Sequence, residues 1–301
     1  MRRNKLILFS LSLVLMAGLL VSSSAMAVSN EVEEAVNSYF ANLPSDNAMI
    51  GQKALIEKVK DGEDLFILDI RKAADYKKGH VEGAVNLPWG SGKIADNLDK
   101  LPGDEPIYVY CYTGQTANQT VGLLNFAGFE AKSVKFGWNL GITRVDGYKD
   151  VVETKENNLN GETSFEINSD IKTAAVDYLN GLSEVSDTMF KNYKISENML
   201  NMLINSEQEM TVLSIRQAKH YSEGHIPGAI NIAWGSGMQE HFNQLPKDEK
   251  VIVYCYTGQT AGQTVAGLRM LGYDAVSLNG GIGVSANKPY GWTNRGYDVV
   301  Q

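Results

Sequence analysis

The sequence predicts an α/β protein made of two tandem copies of one domain, each a parallel sheet with helices on both faces. Three observations carry this. In the first half, "DLFILDI" and "PIYVYCY" read as buried strands, while "QKALIEKVKDG" and "QTANQTVGLLNFAG" place apolar residues at helical spacing. Strands that are apolar on both faces and separated by helices need cover on both sides, which is the condition of a parallel sheet. The same succession returns in the second half as "ENMLNMLINS", "MTVLSI", "KVIVYCY" and "QTAGQTVAGLRMLG", and "VYCYTGQTA" occurs letter for letter at 109–117 and 253–261.

The repeat extends well beyond that stretch. "LDIR" from Leu68 answers "LSIR" from Leu213, and "GHVEGAVNLPWGSG" from Gly79 answers "GHIPGAINIAWGSG" from Gly224, both offset by 145 residues. From Leu101-Pro102 against Leu245-Pro246 the offset is 144, one deletion in a loop. Upstream, "YFANL" from Tyr39 resembles "YLNGL" from Tyr178, so the helical lead-in is expected to be repeated too. A period this long is a domain length, far above that of a solenoid. Residues 28–152 are the expected first domain and 171–301 the second. The polar stretch 153–170, rich in Asn with few apolar residues, is the expected linker. With 301 residues, each copy has room to bury a core of its own.

Composition is that of a globular protein, 44% hydrophobic and 21% charged, and only the start departs from it. Arg2, Arg3 and Lys5 precede an uncharged apolar run from Leu6 to Val21, and "SSSAMA" ends in small residues. Residues 1–27 therefore read as a secretory signal peptide cleaved after Ala27, implying export to a periplasmic or extracellular location. The run is shorter than the roughly 20 residues a bilayer needs, which disfavours a retained membrane anchor. Cleavage removes three of the 27 cations and none of the 35 acids, leaving a chain more acidic than the −8 of the whole. Phosphate binding relies on clustered cations, and the sequence has none, so nucleic acid is not an expected partner.

Cys111 and Cys255 are the only cysteines. Export makes a disulfide chemically possible. Matched positions in adjacent domains are, however, expected to lie far apart, so two free thiols are the expectation. Each thiol leaves a strand at its carboxyl end, where ligands bind in such sheets. Tyr-Thr-Gly-Gln-Thr and then a helix follow. Such a loop can turn its backbone N–H groups inward as an anion nest, and Gly114 and Gly258 permit the positive φ this needs. With the positive end of the helix dipole beginning near Ala117 or Ala261, it favours the nucleophilic thiolate, and equally a persulfide one atom longer.

At these residues the chain resembles the rhodanese family of sulfurtransferases, over about 110 residues of each copy. Asp69-Ile70-Arg71, Asp75-Tyr76 and Gly79-His80-Val81-Glu82-Gly83-Ala84 match the family's upstream signature. Arg216, Tyr221, Gly224-His225-Ile226-Pro227-Gly228-Ala229 and Gly280-Gly281 match it in the second copy. The resemblance implies two tandem rhodanese-like domains and a ping-pong transfer of sulfane sulfur through a cysteine persulfide. Donors would be small sulfur-containing anions: polysulfide, persulfide or thiosulfate. A thiol, a cyanide-like nucleophile or a protein would be the acceptor. It implies no metal and no cofactor. Carried over by position, Cys111 and Cys255 are the nucleophiles. Tyr112, Thr113, Gly114, Gln115 and Thr116 form one substrate cradle, and Tyr256, Thr257, Gly258, Gln259 and Thr260 the other. His80 and His225 are expected to be structural, as are Arg71 and Arg216.

The departures are specific. Neither loop carries the Arg or Lys that would hold thiosulfate, and neutral donors bind a dianion less tightly than charge-assisted ones, so polysulfide or a persulfide is the expected donor. The second copy has Ser214 for Asp69 and His220 for Asp75. Trp89 and Trp234 read either as pocket walls or as aromatics closing a turn. A cysteine phosphatase would need an arginine where Ala117 and Ala261 stand, and a dithiol redox protein a second nearby cysteine. A non-catalytic module that binds sulfide species or docks a partner remains the alternative.

Overall fold

The computed structural model describes residues 28–301, so the predicted signal peptide lies outside the described residues. The first half runs α1 (Asn30–Ala41), β1 (Met49–Ile50), α2 (Gln52–Lys60), β2 (Phe66–Asp69), α3 (Ala73–Tyr76), β3 (His80–Val81), β4 (Val85–Asn86), β5 (Ile107–Tyr110), α4 (Gln115–Phe126), β6 (Ala131–Val134) and β7 (Val152–Glu153). The second runs α5 (Ser169–Gly181), β8 (Lys194–Ile195), α6 (Glu197–Asn205), β9 (Thr211–Ser214), α7 (Ala218–Ser222), β10 (Ala229–Asn231), β11 (Val251–Tyr254), α8 (Gln259–Met270) and β12 (Ala275–Leu278).

Each half forms one five-stranded parallel sheet, ordered β1-β6-β5-β2-β4 in the first and β8-β12-β11-β9-β10 in the second. The order is the same in both, as the repeat requires. The central strands β5 and β11 are buried at every position, which is why their sequences are unbroken apolar runs. β3 and β7 form a separate antiparallel ribbon, so the predicted linker begins as a strand on the first half. It then stays on that surface: Thr163 donates its N–H to Asp99 O at 2.8 Å, and Phe165 packs on Phe129 with ring centroids 5.1 Å apart.

The interior differs from the expectation of two separate cores. α4 and α8 lie against each other, buried almost all round, and one continuous apolar cluster runs through both halves; a smaller cluster lines the outer face of the first sheet. The close approach of the two helices depends on Gly262, because a Cβ there would stand 2.6 Å from the Gln115 carbonyl oxygen.

The lead-in helices close this interface by reaching across it. α1 is capped by Ser29 and buries Val32, Val36 and Phe40, spaced four apart on one face. Phe40 packs edge-on to Trp234 and Phe242 of the second half, at centroid distances of 6.0 and 5.3 Å. α5 mirrors it, with Tyr178 against Trp89 of the first half and Lys172 Nζ 2.5 Å from Asp99 Oδ2. The two tyrosines matched in the sequence do the same work. Tyr39 Oη donates to Gln263 Oε1 and Tyr178 Oη to Gln119 Oε1, each at 2.7 Å. The lead-in is therefore repeated, and each copy of it docks on the opposite half.

Candidate active site

Cys111 and Cys255 directly follow β5 and β11, at the carboxyl ends of the sheets, and both are free thiols. The chain then turns through Gly114 at φ 87° and Gly258 at φ 82°, and the helices begin one residue later, two residues earlier than expected. The left-handed turn aims backbone donors at sulfur. Cys111 Sγ accepts the N–H of Gly114 at 3.1 Å and of Ala117 at 3.4 Å, and Cys255 Sγ accepts that of Gly258 at 3.1 Å.

The cysteines are 3% and 2% exposed, yet Cys255 lines a cavity of about 570 Å³. Tyr256, Thr257, Gln259 and Thr260 of its loop line the same cavity. Trp234 is one of its walls and is held by a bond from Nε1 to Asn47 Oδ1 at 2.8 Å, so the pocket-wall reading holds for this tryptophan. In the first half a cavity of about 290 Å³ lies beside Tyr112, between Arg71, Asp75 and Trp138.

The remaining loop residues divide by role. The Tyr112 hydroxyl points outward, donating to Asp75 Oδ2 at 2.6 Å and accepting the Lys72 N–H at 3.2 Å. Bonds from Lys78 and Tyr112 hold the Asp75 carboxyl below its usual range. In the second copy His220 replaces the acid, its Nδ1 2.5 Å from Tyr256 Oη, so the tyrosine keeps its anchor. Thr113 is half-buried, and the Thr116 carbonyl accepts the hydroxyl of Thr120 at 3.1 Å. Gln115 turns its amide to the other half. Nε2 donates to Ser277 Oγ at 2.8 Å and to Leu278 O at 3.0 Å, leaving only its backbone in the loop. Gln259 Oε1 reciprocates by accepting the Phe136 N–H at 2.9 Å. The loops therefore abut through their glutamines, while both thiols are free: a Cβ on Gly258 would stand 2.9 Å from the Gln115 side chain.

His80 is buried and stacked on Tyr76 at 3.6 Å, and His225 on Tyr221 at 4.0 Å, as structural side chains are. Arg71 is clamped by Asp69 at 2.6 Å and donates to Gly79 O at 2.8 Å. Without that acid, Arg216 donates to the carbonyls of Gly224 and His220 at 2.6 and 2.7 Å.

Sequence reasoning missed the residues handed across the interface. Met49 of β1 lines the Cys255 cavity, together with Leu43, Pro44 and Asn47. Its counterpart at an offset of 145 is Lys194 of β8. Burial pushes the Lys194 ammonium below its usual range, while the nearby Cys111 sulfur and Glu197 carboxylate act to raise it. The offset could have paired these two positions; that Met49 shares a cavity with the opposite half's cysteine follows only from the crossed packing. Among the described residues no group of three or more His, Cys, Asp or Glu is placed to hold a metal ion, and no helix is long and apolar enough to cross a membrane.

Parts of the chain are similar to known proteins. The family model for the rhodanese-like domain matches residues 52–141 and again 197–284. The chain is 34% identical over 70 residues to the thiosulfate sulfurtransferase GlpE of Pseudoalteromonas translucida (strain TAC 125), covering 23% of this chain and 65% of that protein. It is 32% identical over 109 residues to the HTH-type transcriptional regulator Rv0324 of Mycobacterium tuberculosis, covering 35% of this chain and 47% of that protein. The chain thus spans less than two thirds of the length of either relative. Among solved structures, SseA of Escherichia coli, described as a 3-mercaptopyruvate sulfotransferase, aligns over 77% of this chain and 98% of its own at 16% identity, with a TM-score of 0.33. Since the two matched segments take in more than half of the 301 residues, the chain belongs to the rhodanese-like domain family and carries that domain twice.

Proposed function

We propose that this protein is a sulfurtransferase that carries sulfane sulfur on Cys111 and Cys255 and acts after export directed by its first 27 residues. The carrying observation is the pair of thiols at the floor of left-handed loops, each accepting a backbone N–H at 3.1 Å. Such donors favour a negative charge on sulfur. In the first half-reaction the thiolate attacks the outer sulfur of a polysulfide, persulfide or thiosulfate. A new S–S bond forms, and the donor's S–S bond breaks with its electron pair leaving on the donor. In the second, a thiol or cyanide attacks the outer sulfur of the persulfide and the cysteine leaves as thiolate. The amides that hold the first charge remain in place to hold the second.

Incubation with polysulfide and cyanide tests this. Thiocyanate formation is expected above the uncatalysed rate, reduced when either cysteine is changed to serine and abolished in the double variant. An output unchanged in the double Cys→Ser variant would rule transfer out. Persulfide formation without thiocyanate would instead support the binding-module alternative.

A further inference from the structure

We propose that Lys194, handed across from the second half, is the anion-selecting residue of the Cys111 site. A donor ending in an oxyanion, of the thiosulfate class, is then favoured at Cys111, while Cys255, which faces Met49, has no such preference. The donor assignment rests on the sulfur-transfer reading above; the anion selectivity does not.

The two edge segments are built alike. Met49 pairs with Ser133 and Lys194 with Ser277, each on the last strand of its sheet. Two residues earlier, Asn47 and Asn192 share a left-handed backbone, at φ 58° and 62°. The Asn47 carbonyl accepts Gln263 Nε2 at 2.9 Å and the Asn192 carbonyl accepts Gln119 Nε2 at 3.1 Å, so each segment is tied to the helix that follows the opposite cysteine. Met49 lines the cavity at Cys255. By the matched register Lys194 takes the equivalent place on the Cys111 side, where the sulfur's charge acts to raise its ammonium against the lowering by burial.

That ammonium is uncommitted. Among the described residues Lys194 forms no ion pair and its Nζ no hydrogen bond. Glu197, the carboxylate acting on it, accepts the Gly291 N–H on Oε1 at 2.6 Å, and the same oxygen lies 3.7 Å from Arg295 Nε. The loop 111–116 contains no cation of its own. A dianion approaching the Cys111 thiolate is repelled, and a half-buried ammonium beside both offsets that repulsion. With thiosulfate, the thiolate attacks the sulfane sulfur, the S–S bond breaks, and sulfite leaves with the bonding pair toward the ammonium. Charge and sulfur balance, leaving a persulfide anion on Cys111. At Cys255 the corresponding side chain is a thioether, which gives the leaving oxyanion no charge-assisted partner.

Alkylation reads charge selectivity without any sulfur chemistry. In chains carrying one cysteine each, the rate ratio of anionic iodoacetate to neutral iodoacetamide should be about tenfold higher at Cys111 than at Cys255. Lys194→Met should bring the Cys111 ratio down to the Cys255 level, Lys194→Arg should keep it, and Met49→Lys should raise the ratio at Cys255. Persulfide loading of Cys111 by thiosulfate should fall with the ratio. Equal ratios at the two cysteines, or a Cys111 ratio unmoved in Lys194→Met, would overturn the proposal. If Lys194→Met does not fold, Met49→Lys decides, a raised ratio supporting the proposal and an unchanged one overturning it. If the ratios shift as stated while no variant loads sulfur, the anion site stands and the transfer reading fails.

Discussion

The chemistry of each site begins with one glycine in a left-handed backbone that most side chains adopt only at a cost. Gly114 sits at φ 87°, and a Cβ there would also stand 2.7 Å from Gln259 Oε1. Gly114→Ala is expected to cost about 1–2 kcal/mol for the left-handed conformation alone. Because the same turn aims an N–H at sulfur, loading of Cys111 should slow more than loading of Cys255. Urea midpoints and peptide-level mass mapping check the two effects. The cysteines and glycines were legible in the sequence because the repeat preserves them and their chemistry is local. Gln115 was only half legible. An amide beside a thiol suits a cradle, and nothing in a linear sequence shows that Ser277 and Leu278 of the other half bind it instead. Lys194 was hidden for the same reason, since the cysteine it is proposed to serve lies in the opposite half.

Among elements, the paired helices α4 and α8 hold the two sites together. Their burial explains why "QTANQTVGLLNFAG" shows a weak apolar stripe: both helices are covered on almost every side, so the pattern need not favour one face. Gly262→Ala distinguishes close packing from simple helix propensity. Propensity alone would stabilise the helix by about 1 kcal/mol. With a Cβ 2.6 Å from a backbone oxygen, overpacking that costs about 1–3 kcal/mol is expected to outweigh this, leaving up to about 2 kcal/mol of net destabilisation measured by urea unfolding. The two central strands of each half and their parallel pairing were legible because apolar runs and helical periods are local signals. The crossing of α1 and α5 was not, because an amphipathic helix records that it has a buried face but not which surface covers it.

For the molecule as a whole, the repeat gives a near-twofold arrangement in which neither half is closed without the other. Phe40 and Tyr39 leave with the first half but pack on the second, and Tyr178 does the reverse. Burying one such aromatic contributes about 1.5–3 kcal/mol, so separating the halves forfeits several such terms at once. The intact chain is expected to unfold in one thermal transition, and residues 28–152 or 171–301 alone are expected to give no cooperative transition. Two resolved transitions, or well-folded separate halves, would show that the shared core is not needed for stability. The arrangement also gives the duplication a chemical meaning. Each half supplies one thiol and lends the other its neighbouring side chain, so two identical loops come to sit in different surroundings.

Intact mass spectrometry after exposure to a sulfane donor tests the central claim most directly. The chain should gain up to two additions of about 32 Da, the mass of one sulfur atom each. Each single Cys→Ser variant should gain one and the double variant none, with cyanide removing every addition. A wild-type chain that gains nothing, or a double variant that gains as much as wild type, would contradict the account.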